Sequence, residues 1–229
     1  MEAIVLAGGF GRRLQSVVAD LPKPMAPVGG RPFLEILLHL LAHKGFGRVV
    51  LSLGYRAEQI SGYFGKQYAG MELEYAIERE PLGTGGAIRL ALSLCSGEPV
   101  FVFNGDTFLD LEVGAVLEKW KRDGQPLIVA RRVSDTARYG RLRVENDRVI
   151  GFNEKGEGGS GAINAGCYLF RTNQLDEFAL HTPFSIEMDY LAVAVQRTPF
   201  TYFETEGLFI DIGIPEDYTK AQSLLENYV

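Results

Sequence analysis

Apolar residues along the chain fall into two alternating kinds of segment. Ala3 to Leu6, Arg48 to Leu53, Leu73 to Ile77 and Pro99 to Phe103 are short apolar runs of the length expected for buried strands. Between them the apolar positions recur every three or four residues. Phe33, Ile36, Leu37, Leu40 and Leu41 predict a helix that starts at Pro32 and stops near Gly45. A short helix is expected over Ala57 to Phe64, and another after Gly83. Strand–helix alternation of this kind predicts a parallel sheet with helices on both faces, its ligands gathered at the carboxyl ends of the strands.

After a helix expected over Gly114 to Arg122 the pattern changes. Leu127 to Arg131, Leu142 to Glu145 and Arg148 to Phe152 read as short strands, and Asn146-Asp147 suits a tight hairpin turn between the last two. Gly156 to Gly161 reads as a flexible loop that could close over a site. Further on, the spacing predicts a strand over Ala165 to Phe170 and helices over Asn173 to Leu180 and Ser185 to Gln196. Strands at Phe200 to Glu204 and Leu208 to Asp211 then lead to a last helix from Pro215. A length of 229 residues suits one α/β domain with a substantial core.

Composition narrows the function classes. A net charge of −6 argues against general nucleic-acid binding, so any basic surface must be local. No apolar run reaches the length of a membrane span, and Met1 leads straight into the first strand with no signal peptide; a cytoplasmic protein is expected. Cys95 and Cys167 lie in apolar stretches without a Cys-x-x-Cys spacing and read as buried free thiols. His39 and His43 share one helix but have no acidic or cysteine partner at metal-site spacing, which favours packing or solvated roles for them and for His181.

The chemistry concentrates after the first strand. Leu6-Ala7-Gly8-Gly9-Phe10-Gly11-Arg12-Arg13-Leu14 places three glycines within four residues, where the backbone can approach a ligand and turn several N–H groups on one anion. Arg12 and Arg13 add planar forks suited to phosphate oxygens. Lys23 stands between Pro22 and Pro24; the second proline is expected to hold it extended, mounting a cation on a stiff support. A Walker loop is excluded, because no lysine stands at its place, and a dinucleotide fingerprint fails because Leu14 replaces its third glycine. What remains is a triphosphate clamp. Asp106, after the strand ending Asn104-Gly105, and Asp211, before Gly213 and Pro215, are carboxylates at strand ends suited to Mg²⁺, which binds few protein ligands and takes water and phosphate oxygens for the rest.

Gly-Gly-x-Gly-x-Arg-Leu followed by Pro-Lys resembles the signature of the sugar-1-phosphate nucleotidyltransferases, and Asp211-Ile212-Gly213-Ile214-Pro215 resembles their Asp-x-Gly-Thr-Pro motif. The resemblance implies a Rossmann-like, mostly parallel (mixed) sheet flanked by helices, with sugar-binding insertions in the second half. It implies a nucleotide half to about residue 110, and a sugar-phosphate and metal half from there to residue 229. The first half would hold the nucleotide through Leu6, Ala7, Gly8, Gly9, Gly11, Arg12, Arg13, Lys23, Glu78, Gly83, Thr84 and Asp106, with Gly83, Gly85 and Gly86 letting a flat base lie on the backbone. Gly140, Glu154, Lys155 and Asn164 fall in Tyr-Gly, Asn-Glu-Lys and Asn-Ala-Gly elements that resemble those holding the sugar phosphate. Mg²⁺ would rest on Asp106 and Asp211, and Arg13 and Lys23 would act in catalysis by stabilising the leaving pyrophosphate. Arg12 departs from the family's usual threonine and Ile214 from its Asp-x-Gly-Thr-Pro threonine.

The expected reaction joins a nucleoside triphosphate to a sugar 1-phosphate, with neither nucleic acid nor membrane involved and a homodimer compatible with it. A carboxylate at Glu78 can accept the paired donors of guanine, N1–H and N2–H₂, whereas uracil offers a single N3–H between two carbonyls. GTP is therefore the expected donor, with Glu80 an alternative reader and UTP the alternative base. The three motifs around Gly8, Lys23 and Asp211 look most like those of D-glycero-D-manno-heptose 1-phosphate guanylyltransferases, which implies a heptose 1-phosphate as acceptor. Mannose 1-phosphate guanylyltransferases, uridylyltransferases and a non-catalytic nucleotide-sugar sensor are the alternatives.

Overall fold

The structure is a computed structural model, and it describes all residues except 10, 12–13, 15–17, 19–20, 138, 140, 153–157 and 229. The first half runs β1 (Glu2–Leu6), β2 (Pro27–Val28), β3 (Arg31–Pro32), α1 (Phe33–His43), β4 (Arg48–Leu53), α2 (Ala57–Phe64), β5 (Gln67–Tyr68), β6 (Met71–Ile77), α3 (Gly83–Leu92) and β7 (Val100–Asn104). The second half runs β8 (Thr107–Leu109), α4 (Val113–Asp123), β9 (Leu127–Val133), β10 (Leu142–Glu145), β11 (Arg148–Phe152) and β12 (Gly161–Phe170). A π-helical stretch (Ile186–Leu191) then leads to α5 (Ala192–Arg197), β13 (Phe200–Thr205), β14 (Phe209–Asp211) and α6 (Pro215–Leu224).

Ten strands form one sheet in the order β10-β11-β13-β9-β12-β7-β1-β4-β6-β5. The pairings β7–β1, β1–β4, β4–β6 and β13–β9 are parallel. Tracing the direction of each strand across the sheet leaves β5, β11 and β12 reversed and the other seven aligned, so the sheet is mixed and mostly parallel, as expected. It continues without a break across residue 110, because β12 from the second half pairs with β7 from the first.

The strand period of two sorts the core. Ala3 and Val5 of β1 face α1, α2 and α4, through Leu37, Ile60 and Trp120 among others. Ile4 faces the opposite layer, where Ile88 of α3 packs with Ile186, Tyr190 and Val195. A third cluster lies beyond the sheet. It joins Phe33 and Ile36 of α1 to Phe108, Ile210 and Ile212 around the β8–β14 pair, and to Tyr218 and Ala221 of α6. The hairpin turn forms as expected: Asn146 and Asp147 both adopt positive φ, 49° and 64°, as the favoured two-residue turn requires.

Four expectations are corrected. Pro32 caps α1 from an extended position (φ −54°, ψ 136°) as part of the small β2–β3 ribbon, rather than opening the helix. Residues 173–180 form no helix: Gln174, Asp176 and Phe178 donate backbone bonds three residues back, to Arg171, Asn173 and Leu175, and the chain proceeds by tight turns. That three-residue step buries Leu175 and packs Phe178 on Phe184, ring centroids 3.8 Å apart. The region read as one helix from Ser185 begins instead as the π-helical stretch, with Ser185 as cap accepting from the Met188 N–H at 3.2 Å. Gly161 belongs to β12 rather than to the preceding loop, of which residues 156 and 157 lie outside the described residues.

Candidate active site

Strand ends β1, β4 and β7 converge on one cleft. Ala7 N–H donates to Ser52 O at 2.8 Å, and Gly105 N–H to Leu6 O at 2.8 Å, so the three strands leave the sheet bound together. Two glycines are needed for this closeness. A Cβ on Gly8 would lie 2.9 Å from Gly54 N, and one on Gly105 would lie 2.5 Å from Leu6 O. Gly9 faces open space, and Gly11 turns the chain with φ 59°. The cleft encloses about 470 Å³. Its lining includes Leu6, Ala7, Gly8 and Gly9 after β1, and Glu78, Gly83 and Thr84 between β6 and α3. Lys23, Asn104 and Asp106 also line it. The structure thus brings together nine of the residues expected to bind nucleotide, with Gly11 just behind them; Arg12 and Arg13 lie outside the described residues.

Lys23 is not extended. It opens a one-turn 3₁₀ helix, Lys23–Met25, entered from an extended Pro22 (ψ 140°). Pro24 fits there because the first turn has no use for its missing N–H. The two prolines still supply the stiff mount. The side chain lies against Gly11, whose Cβ, if present, would stand 2.6 Å from Lys23 Cβ. Only 9 % exposed, the ammonium donates to Asp106 Oδ2 at 2.5 Å and lies 3.8 Å from Asp211 Oδ1.

The two aspartates meet through the small sheet beyond β7. In the antiparallel β8–β14 pair Asp211 stands opposite Thr107, and Ile212 N–H donates to Asp106 O at 3.0 Å. Asp211 Oδ1 accepts from Gly213 N–H at 2.6 Å, and a Cβ on Gly213 would fall 2.8 Å from that oxygen and 3.2 Å from Lys23 Nζ. Two partly exposed carboxylates thus converge on one cation in a space that a glycine keeps open. Hard oxygen donors, few in number, fit a divalent ion that completes its shell with water and phosphate oxygens. Among the described residues no three or more His, Cys, Asp or Glu side chains group to hold a metal ion, so the two aspartates would leave most of its shell to other ligands. His39 and His43 stack edge-on with ring centroids 4.3 Å apart.

Opposite the clamp, Glu78 Oε2 accepts from Leu82 N–H at 2.7 Å while Oε1 lies over Gly8, 3.1 Å from where its Cβ would be. Burial pushes this carboxyl above the ordinary glutamate range, and the Leu82 bond offsets part of the rise. Glu80 is exposed on the same wall. The glycines that follow have a different duty from the one expected. A Cβ on Gly85 would overlap the Phe184 ring, and one on Gly86 would meet Thr182 O at 2.5 Å. The flat object on this backbone is Phe184. Gly83 and Thr84 stay on the cleft wall, and Thr84 Oγ1 accepts from Ile186 N–H at 3.0 Å.

On the sugar side, Gly140, Glu154 and Lys155 lie outside the described residues. Asn164 sits at an irregularity of β12, where the register against β9 shifts before Cys167. Its Nδ2 donates to the Tyr168 hydroxyl at 2.7 Å and to Glu187 Oε1 at 3.0 Å, and its Oδ1 accepts from Gly166 N–H at 3.0 Å. Burial and the nearby Glu187 carboxylate both raise the Tyr168 pKa, with the Asn164 bond opposing, so the phenol keeps its proton. Gly166 (φ 70°) leaves room for the Asn104 side chain, which connects this network to the cleft. Glu187 was not among the residues expected from the sequence, since one glutamate at the start of a helical pattern carries no signal of its own. Both cysteines are favoured as neutral thiols: burial, then the Glu2 carboxylate, pushes Cys95 up to about 12, with Arg48 opposing, and burial raises Cys167 well above its usual value.

The chain is similar over its whole length to proteins of known activity. It is 42 % identical, over 100 % of both chains, to the D-glycero-alpha-D-manno-heptose 1-phosphate guanylyltransferase of Aneurinibacillus thermoaerophilus. Identity to the enzyme of that name from Campylobacter jejuni is 41 %, covering 95 % of this chain and 97 % of the other. The crystal structure of HddC from Yersinia pseudotuberculosis complexed with GMP-PN superposes with a TM-score of 0.88 at 38 % identity, covering 98 % of this chain and 99 % of that one. Residues 2–228 match the nucleotidyl transferase family, to which the chain belongs.

Proposed function

We propose that the protein is a guanylyltransferase that joins GTP to D-glycero-α-D-manno-heptose 1-phosphate, giving GDP-heptose and pyrophosphate. The observation that carries the reading is the full-length 42 % identity to a heptose 1-phosphate guanylyltransferase, and a cleft lined by the glycine loop, Lys23 and Asp106 supports it. In the reaction a phosphate oxygen of the sugar 1-phosphate bonds to the α-phosphorus of GTP, and the α–β bridging bond breaks with its electron pair leaving on pyrophosphate. The nucleophile is already an anion, so no strong base is required; positioning and charge neutralisation account for the rate.

In this reading the Gly8–Gly11 loop receives the triphosphate, and Lys23, swinging from the aspartates to the phosphates, neutralises charge on the leaving group. Arg13 assists by its place in the motif. Asp106 and Asp211 hold Mg²⁺, which supplies Lewis-acid polarisation of the phosphates when bound. Glu78 reads guanine through the oxygen turned to the cleft. Residues up to about 110 serve the nucleotide; Gly140, Glu154, Lys155 and Asn164 serve the sugar phosphate. The need for a nucleoside triphosphate pool places the reaction in the cytoplasm.

Competition decides the reading. With GTP, UTP, heptose 1-phosphate and mannose 1-phosphate compared by pyrophosphate release, kcat/KM should be highest for GTP with the heptose. A higher value for UTP overturns the base assignment, and a higher value for mannose 1-phosphate overturns the sugar.

A further inference from the structure

We propose that Glu187 is a further side chain that accepts hydroxyl groups of the sugar, and that Asn164 serves the sugar by positioning it. The inference rests on the reading of a sugar 1-phosphate as second substrate. Asn164 is the residue of the sugar half that the sequence marks and the structure describes, yet its amide has no hydrogen left to offer. Both are engaged, one by the Tyr168 hydroxyl and one by Glu187, while its carbonyl is tied to Gly166 N–H. Tyr168 is buried and fixed in the core. Of the groups in this network, only Glu187 is an exposed charged side chain.

Its position follows from two independent anchors to the cleft. The preceding residue, Ile186, donates its N–H to Thr84 Oγ1 on the nucleotide wall. Asn164 holds the same carboxylate and accepts from Gly166 N–H, and the bare Cα of Gly166 makes room for the side chain of Asn104, which lines the cleft. The π-helical turn explains why a glutamate can stand there. Its extra residue lets Ile186 and Leu191, five apart, both enter the core and leaves Glu187 outside. A carboxylate is acceptor-only, so it suits a polyol, whose hydroxyls all donate, and it repels a misplaced phosphate. Asn164 occupies one lone pair of Oε1 and so aims the rest of the carboxylate.

Steady-state kinetics of Glu187→Ala and Glu187→Gln with GTP and heptose 1-phosphate test this. Loss of a charge-assisted bond should lower kcat/KM for the sugar about ten- to hundredfold in the alanine variant, with less loss in the glutamine variant. KM for GTP and the melting temperature should stay within twofold and about 1 °C of wild type, as they should in the control Met188→Ala, an exposed neighbour. Monodeoxy analogues of the sugar phosphate complete the cycle: for at least one, the penalty of Glu187→Ala should vanish. An undiminished penalty with every analogue, or a GTP KM that rises with the sugar KM, overturns the proposal. Failure of the wild type to use any sugar 1-phosphate overturns the underlying reading instead, and the two failures are thus distinct.

Discussion

Replacing Lys23 by methionine should move two properties in opposite directions. Methionine keeps the length of the side chain against Gly11 and removes only the charge. In the structure that charge lies 2.5 Å from one carboxylate and 3.8 Å from the other, so it occupies the place where a divalent ion would gain most. Two unit charges about 4 Å apart attract by about 4 kcal/mol at an effective dielectric of 20. Asp106 is 37 % exposed and Asp211 26 %, so solvent and salt leave about 1–2 kcal/mol of competition per ion. Lys23→Met should therefore tighten Mn²⁺ or Mg²⁺ binding to the substrate-free protein about five- to thirtyfold. Turnover should fall, by about a hundredfold or more, because in the proposed reaction a preorganised charge is lost where pyrophosphate leaves. Calorimetric titration with Mn²⁺ measures the first effect, and pyrophosphate release at saturating substrates the second. Cation affinity that is unchanged or weakened would refute the shared site, and unchanged kcat would refute the role of Lys23 in transfer.

Asp106→Asn and Asp211→Asn should each lower turnover about a hundredfold or more and raise the Mg²⁺ needed for half-maximal rate; wild-type activity in excess chelator would count against both assignments. Gly85→Ala drives a methyl into the Phe184 ring and should destabilise the fold by about 1–3 kcal/mol in urea unfolding, with recovery when Phe184 is also cut to leucine. For Glu78, burial raises the pKa, so the carboxyl gains its proton at a higher pH than an exposed glutamate. The protonated form loses an acceptor for guanine. KM for GTP should therefore climb as pH falls through that raised pKa, and Glu78→Gln should flatten the profile; a profile identical in both proteins would remove Glu78 from base reading.

Much of the fold was legible because its strands and most of its helices obey a single period. β4, α2, β10 and β11 begin and end at the expected residues, and the glycine loop, Lys23 and the two aspartates meet at the carboxyl edge where alternation places ligands. The misreadings share a cause: neighbours override a local pattern. Residues 173–180 carry apolar spacing that a helix or successive tight turns can satisfy, and the stacking of Phe178 on Phe184 favours the turns. Gly85 and Gly86 look like a platform for a base because glycine marks close approach without saying of what. Lys23 before Pro24 reads as extended, yet the first turn of a 3₁₀ helix tolerates the same pair.

The resemblance implied that Asp106 and Asp211 meet, but the β8–β14 pairing that brings them together has a physical basis that periodicity cannot display. Strands of three residues, β8 and β14, are too short to show alternation, and neither belongs to the main sheet. Their pairing depends on side chains from distant parts of the chain: Phe108, Ile210 and Ile212 are buried with Leu14, Phe33 and Tyr218. Asp211 thus stands over the third apolar cluster, and Asp106 lies between that cluster and the end of β7. That cluster also contains Leu14, which ends the glycine loop, and α1, which follows the turn carrying Lys23. Loop, lysine and both aspartates therefore share this third cluster as a support, in addition to the ties of Ala7, Met25 and Leu109 to the first layer. Changes in that cluster should disturb the loop, Lys23 and both aspartates together, lowering turnover along with stability.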